Sequence, residues 1–274
     1  MRSDNSQIVS VKWLHDNLDN EKLVILDATI RKVSDSISFS SEGWIPKTRY
    51  FDLKGRFSDI EAEFPTTFPS AEQFQREARA LGINQDSIIV VYDTKGIYSS
   101  ARVWWLFKAF GFDNVAVLDG GLPEWKKLNY KTVTSLDIPN WSTGNFMANY
   151  HPEYMRFFNH ISEISNNKDC LILDARSQDR FKSKVAEPRE GLRSGTIPNS
   201  KNLPYTDLLN GNCLKSKEEL KSIFNTFKIE DKSLTFSCGS GITACILALA
   251  ATILDYKNIS VYDGSWTEYG TLTT

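Results

Sequence analysis

At 274 residues the chain exceeds a usual single domain and suits two of roughly 100–150 residues each. Hydrophobic residues make up 41% and charged residues 24%, which supplies ordinary cores and excludes a largely disordered chain. A formal charge of −2 argues against a general nucleic-acid binder, whose surface would be basic. From the N-terminus, Met1 to Gln7 carries no apolar leader, so no secretory signal is expected. Leu23–Asp27 reads as a buried strand, Ala71 to Leu81 as a helix burying Phe74, Ala78 and Leu81, and Ile88–Asp93 as a second strand. Ser99 to Phe110 follows as a helix and Val115–Asp119 as a third strand. The Asn-, Ser- and Pro-rich stretch from Ser135 to Pro152 reads as a connector. Beyond it come strands Cys170–Asp174, Ser233–Ser237 and Ile259–Asp263, with the helix Ile242–Leu254 between the last two. The run from Cys245 to Leu254 is the longest apolar stretch and is half of what a bilayer span needs, so no membrane association is expected. Short strands alternating with helices predict βαβ units, parallel sheets and an α/β fold. The expected domains are 1–134 and 157–274, joined by a connector at 135–156.

The chain repeats itself. Val24-Ile25-Leu26-Asp27-Ala28 recurs as Leu171-Ile172-Leu173-Asp174-Ala175, and Gly43-Trp44-Ile45-Pro46 as Gly195-Thr196-Ile197-Pro198. Ile88 to Asp93 matches Leu234 to Cys238 in position, and Asp119-Gly120-Gly121 with Glu124-Trp125 recurs as Asp263-Gly264-Ser265 with Glu268-Tyr269. Four matches in one order describe a domain present twice.

The sharpest local feature is Ser237-Cys238-Gly239-Ser240-Gly241-Ile242-Thr243-Ala244, between a strand and a helix. Backbone N–H groups and the positive end of a helix favour a thiolate over a thiol there. Small residues let the backbone curl around whatever the sulfur carries. The residues thus describe a nucleophilic thiolate in an anion cradle. A plain buried cysteine is the rival reading, and the Gly-Ser-Gly run weighs against it. Gly239-x-Gly241-x-x-Ala244 also fits a dinucleotide fingerprint, yet eleven residues after Asp263 leave no room for the rest of such a domain. A cysteine phosphatase would need arginine where Ala244 stands. Four cysteines without a CxxC pair, and three histidines, make a disulfide scaffold or a zinc site unexpected, and suit a reducing, cytoplasmic setting.

The tandem copies, Asp93 where the second copy has Cys238, the series Asp174-Ala175-Arg176 … Arg180-Phe181 … Glu187-Pro188-Arg189 … Ile197-Pro198, and the block Asp263-Gly264-Ser265-Trp266 resemble the two-domain rhodanese-like sulfurtransferases over nearly the whole chain. The resemblance implies two tandem rhodanese-like domains, an inactive N-terminal copy, an active C-terminal copy and an interdomain cleft over the cysteine. Cys238-Gly239-Ser240-Gly241 resembles the loop of the mercaptopyruvate branch rather than the Cys-Arg-Lys-Gly of the thiosulfate branch. Thiosulfate is a compact dianion that favours adjacent cations, whereas 3-mercaptopyruvate offers a carboxylate and a ketone to planar guanidinium forks. Arg180 and Arg189 fall on that branch's substrate-binding arginines.

The expected reaction is attack by Cys238 on the donor sulfur, giving a persulfide and the enolate of pyruvate. Backbone N–H groups of Gly239, Gly241, Ile242 and Thr243 would hold the negative sulfur, the arginines the carboxylate, and Ser240 a proton. The expected partners are a small-molecule sulfur donor and a thiol acceptor such as thioredoxin; no metal or organic cofactor is implied. The resemblance breaks at the branch's Asp-His-Ser proton relay. The histidine position reads Pro65-Thr66-Thr67-Phe68-Pro69, and the acidic one falls near Lys54. His15, His151 and His160 lie outside every motif, and Trp104, Trp105, Trp266 and Cys245 read as packing. Asp27 and Asp174 read as hydrogen-bonding loop backbone. Two further readings stand beside turnover on mercaptopyruvate: a thiosulfate sulfurtransferase, and a persulfide carrier without turnover.

Overall fold

Aliphatic, β-branched runs form the central strands of two parallel sheets. The computed structural model describes residues 6–30, 43–136, 141–229 and 232–273. Met1 to Asn5, within the stretch read as lacking a leader, and 137–140 of the expected connector lie outside the described residues.

The first sheet contains β1 (Ile8–Val9), β2 (Leu23–Asp27), β3 (Thr48–Tyr50), β4 (Ile88–Tyr92) and β5 (Val115–Leu118) in the order β1-β5-β4-β2-β3, every pair parallel. Helices α1 (Val11–Asp16), α2 (Ala71–Ala80), α3 (Ser100–Ala109) and α4 (Gly121–Lys127) belong to the same unit. The Ser70 hydroxyl starts α2 by accepting from Gln73 N–H. Nearly all of α3 is buried, Trp104 and Trp105 included, so it shows no amphipathic stripe.

The second sheet contains β6 (Met155–Arg156), β7 (Cys170–Asp174), β8 (Lys201–Asn202), β11 (Ser233–Ser237) and β12 (Ile259–Tyr262) in the order β6-β12-β11-β7-β8, again all parallel. Numbered within its own unit, each sheet has the same strand order, the structural counterpart of the sequence repeat. Between β8 and β11 the short strands β9 (Leu209–Asn210) and β10 (Cys213–Leu214) pair with each other. The helices here are α5 (Phe158–Asn166), α6 (Gln178–Phe181), α7 (Lys217–Asn225), α8 (Ala244–Ile253) and α9 (Ser265–Leu272).

The chain divides into two compact units, and neither is continuous in sequence. Unit 1 is Met1–Ile60, Phe68–His151 and Gly211–Cys213; unit 2 is Glu61–Thr67, Pro152–Asn210 and Leu214–Thr274. Much of the stretch expected to be a connector is tied to unit 1. Gly144 N–H donates to Arg79 O at 2.9 Å, Phe146 N–H to Ile83 O at 3.0 Å and His151 N–H to Ala109 O at 2.8 Å. Phe146 is fully buried and Trp141 Nε1 donates to Ala80 O at 3.0 Å, so these two rings anchor the segment while Tyr150 stays exposed. Among the described residues, no helix is long and apolar enough to cross a membrane.

Candidate active site

The register of the second sheet sets the site. Ser237, the last residue of β11, pairs with Asp174, the last of β7, and Ala175 N–H donates to Ser237 O at 2.8 Å. The chain therefore turns away at Cys238 from the carboxyl edge of a parallel sheet, where open α/β sheets offer a crevice. It re-enters regular structure at Ala244, the first residue of α8. Gly241 has φ +72°, a left-handed backbone that glycine adopts without cost.

One buried hydroxyl ties the loop from behind. Ser265 Oγ accepts N–H bonds from Cys238 (3.0 Å) and Gly241 (3.2 Å) and donates to Tyr262 O (2.9 Å). That uses both lone pairs and the proton, so its approach to Cys238 Sγ at 3.9 Å is a packing contact. The next residues continue the tie: Trp266 N–H donates to Cys238 O, and Thr267 donates to Gly239 O through both N–H (2.9 Å) and Oγ1 (2.6 Å). Cys245 is buried and its thiol donates to Gly241 O at 3.3 Å.

What such a loop does is visible in the first copy, where Asp93 stands at the cysteine position. Its Oδ2 accepts N–H bonds from Tyr98 (2.8 Å), Ser99 (3.0 Å) and Ser100 (3.0 Å), and its Oδ1 accepts one from Lys95 (2.9 Å). The loop is an anion cradle, filled in this copy by its own carboxylate. In the second copy the corresponding N–H groups of Ser240, Thr243 and Ala244 have no acceptor among the described residues.

A buried ionic cluster braces the other side. Arg176, fully buried, binds Asp174 Oδ2 through Nη2 at 2.7 Å, Glu187 Oε1 through Nη1 at 2.9 Å and Gly195 O at 2.9 Å. Its guanidinium lies 4.8 Å from the ring centre of Trp266. Glu187 also holds Arg180, Oε2 to Nη2, at 2.5 Å. Arg180 in turn abuts the loop, since a Cβ placed on Gly239 would stand 3.1 Å from its Nη2. A larger residue at 239 would press on the guanidinium.

The structure thus places Cys238, Gly239, Ser240, Gly241, Ile242 and Thr243 on one loop with Arg180 against it. Ser240 is half-buried and its hydroxyl has no hydrogen-bond partner among the described residues. Arg189 is half-buried in a turn closed by Leu192 N–H on Arg189 O, and its guanidinium is likewise unpaired among the described residues. His15 stacks on Tyr130 at 4.0 Å and His160 caps α5. Cys213 lies in unit 1, where burial pushes its thiol up to about 11. Among the described residues, no group of three or more His, Cys, Asp or Glu is placed to hold a metal ion.

Sequence reasoning missed Ser265, Arg176 and Glu187 as site residues, and recognised Thr66 only as the place of an absent histidine. Thr66 belongs to unit 2, and its hydroxyl donates toward Ser240 O at 3.0 Å. A signal for Ser265 was present. Its partner in the first copy is Gly121, where a Cβ would run into the carbonyls of Asp93 and Gly96. A serine there in one copy marks a changed loop interior.

Comparison with known proteins follows the same lines. The rhodanese-like domain profile matches twice, at residues 10–128 and 159–271. The 3-mercaptopyruvate sulfurtransferase of Escherichia coli is 35% identical over 268 residues, covering 96% of this chain and 94% of that protein. The human 3-mercaptopyruvate sulfurtransferase is 34% identical, with 96% and 91% covered. A mitochondrial thiosulfate/3-mercaptopyruvate sulfurtransferase of Arabidopsis thaliana is 37% identical, with 98% and 77% covered. Among solved structures, that of the Escherichia coli 3-mercaptopyruvate sulfotransferase superposes with a TM-score of 0.85 at 32% identity, covering 95% of this chain and 99% of that one.

Proposed function

The chain belongs to the rhodanese-like family, and from that premise we propose that it moves sulfane sulfur from 3-mercaptopyruvate, through a persulfide on Cys238, to a thiol or cyanide acceptor. The observation that carries this reading is the Asp93 cradle. A carboxylate oxygen lies two bonds beyond Cβ, and so does the outer sulfur of a cysteine persulfide. In the first copy three N–H groups converge on that oxygen. The same backbone around Cys238 suits a negative sulfur one atom beyond Sγ better than Sγ itself. Such a site favours the product of sulfur transfer over the resting thiol.

The donor follows from the side chains. Gly239-Ser240-Gly241 brings no cation into the loop, so a compact dianion lacks paired positive charges there. Arg180 is held at the loop and Arg189 has an unused fork, which suits a carboxylate beside a ketone. The Cys238 thiolate attacks the donor sulfur. A sulfur–sulfur bond forms, the carbon–sulfur bond breaks, and its electron pair leaves as the enolate of pyruvate. The proton that the donor thiol carried passes to the enolate carbon, giving pyruvate and an anionic persulfide in the cradle. Ser240 Oγ, with no partner of its own, is placed to relay that proton. An acceptor thiolate, of thioredoxin or a small thiol, then takes the outer sulfur and restores the Cys238 thiolate. Four free cysteines suit a reducing compartment, and we assign the protein to the cytoplasm on that ground.

The test is steady-state transfer to cyanide from 3-mercaptopyruvate and from thiosulfate, with Cys238→Ser as control. A kcat/KM favouring mercaptopyruvate and lost in Cys238→Ser is the expected result. Preference for thiosulfate would overturn the donor assignment. Stoichiometric persulfide loading without turnover would overturn the enzyme in favour of a carrier.

A further inference from the structure

Thr66 has φ +61°, a left-handed backbone that β-branched residues rarely adopt. It is nearly buried, and its hydroxyl shares one proton between Pro65 O at 2.6 Å and Ser240 O at 3.0 Å. It lies in Glu61–Thr67, the segment of the first repeat that belongs to unit 2. The carbonyl it reaches belongs to the Ser240–Gly241 peptide. The N–H of that same peptide donates to Ser265 Oγ at 3.2 Å. Ser265 is itself in a left-handed conformation, φ +51°. Two strained residues, 199 positions apart in sequence, thus hold the two ends of one peptide group beside Cys238.

We propose that Thr66 is a positioning residue for sulfur transfer: with Ser265 it locks the Ser240–Gly241 peptide in the orientation that keeps the loop an anion cradle. The peptide needs a lock because glycine at 241 tolerates either orientation. A flip would replace the N–H at Ser265 Oγ by the Ser240 carbonyl oxygen. Ser265 Oγ lies 3.9 Å from Cys238 Sγ, so the flipped oxygen would bring negative charge toward a sulfur that must itself become negative. The first copy shows what happens without the lock. Gly121 stands at the Ser265 position, and the Asp93 carboxylate binds the loop N–H groups instead. A cysteine has no such carboxylate, so the catalytic copy requires hydroxyls from outside the loop.

This proposal rests on the sulfur-transfer reading for its kinetic arm alone, so the experiment has two arms. Thr66→Gly removes the hydroxyl while relaxing the left-handed backbone, and Thr66→Ser keeps the hydroxyl. In the full chain, kcat and KM for 3-mercaptopyruvate are measured beside the pH profile of Cys238 alkylation by iodoacetamide and thermal unfolding. Thr66→Gly is expected to unfold no earlier than the parent protein, yet to lose about tenfold in kcat, the worth of one hydrogen bond, with KM within about twofold. Its alkylation profile is expected to move to higher pH, and Thr66→Ser to follow the parent protein in every readout. Parental kcat and alkylation in Thr66→Gly would overturn the proposal, as would a Thr66→Ser variant impaired as much as Thr66→Gly. If the parent protein fails to turn over mercaptopyruvate while the alkylation profiles separate as stated, the lock stands and the donor assignment falls.

Discussion

Arg176 is a sharp place to perturb the protein, because its guanidinium joins three polymer segments with no solvent access. Replacement by methionine keeps much of the volume and the contact with Trp266 but removes the cation between Asp174 and Glu187. Asp174 keeps the N–H of residue 176 at 2.9 Å, and Glu187 keeps Arg180. Asp174 nonetheless loses the buried cation it pairs with, and Glu187 one of its two, which costs about 3–5 kcal/mol in such cases. Better packing of the methionine on Trp266 offsets about 1 kcal/mol. The net expectation is about 3 kcal/mol, or a fall of about 6–12 °C in the melting of unit 2 at about 2–4 °C per kcal/mol. Scanning calorimetry of the full chain reads this directly. Adding Asp174→Asn to Arg176→Met removes the orphaned charge and is expected to recover part of the loss. A single variant that melts within about 2 °C of the parent protein would refute the claim that this cluster is a cooperative brace.

Burial pushes Asp27 up to about 6, against an ordinary value of 3.8, so folded protein holds its proton more tightly than the unfolded chain. The stability it contributes is present below about pH 4 and lost as pH rises through 6, an effect of about 3 kcal/mol. Asp27→Asn is therefore expected to raise the melting temperature of unit 1 at pH 7.5 and to leave it nearly unchanged at pH 4; equal effects at both would refute this. Asp93→Ala leaves four N–H groups around an empty cradle and is expected to destabilise unit 1 by about 3 kcal/mol or more, with added chloride recovering part of it in thermal melts. Arg189→Ala should raise KM for mercaptopyruvate about 10- to 100-fold, the worth of a charged hydrogen bond, while alkylation of Cys238 by neutral iodoacetamide keeps its parental rate. A change in alkylation instead would mean that Arg189 acts on the loop rather than on the substrate.

The central strands were legible because each is a run of aliphatic residues buried on both faces, as in Val24-Ile25-Leu26 and Leu171-Ile172-Leu173. Their ends were read within a residue: Ile88–Asp93 closes at Tyr92, and Ile259–Asp263 at Tyr262. The edge strands escaped because two residues, as in Ile8–Val9 or Met155–Arg156, carry no periodicity. The same division runs through the site. Cys238 and its glycines announce themselves locally, since a loop between strand and helix has a composition of its own. Ser265 and Thr66 act by reaching backbone groups 27 and 174 residues away, and nothing in their immediate neighbours encodes that reach; Glu187 reaches arginines only 7 and 11 residues off, but across a loop with no periodic pattern. The Asn-, Ser- and Pro-rich composition of 141–151 is silent for a related reason, since a segment without periodic pattern can still be anchored by one buried ring such as Phe146.

The interleaving of segments bears on how such a chain can be divided. Residues 152–274 would retain Cys238, Ser265 and both arginines, yet would lack Glu61–Thr67, and with it the threonine at the Ser240 carbonyl. Residues 1–151 would lack Gly211–Cys213, and with it Asn212, whose backbone and Cβ close over Gly96, and Cys213, which packs against Gly120. Each half thus depends on a few residues carried by the other. A cut between residues 151 and 152 would therefore part each unit from residues that pack within it.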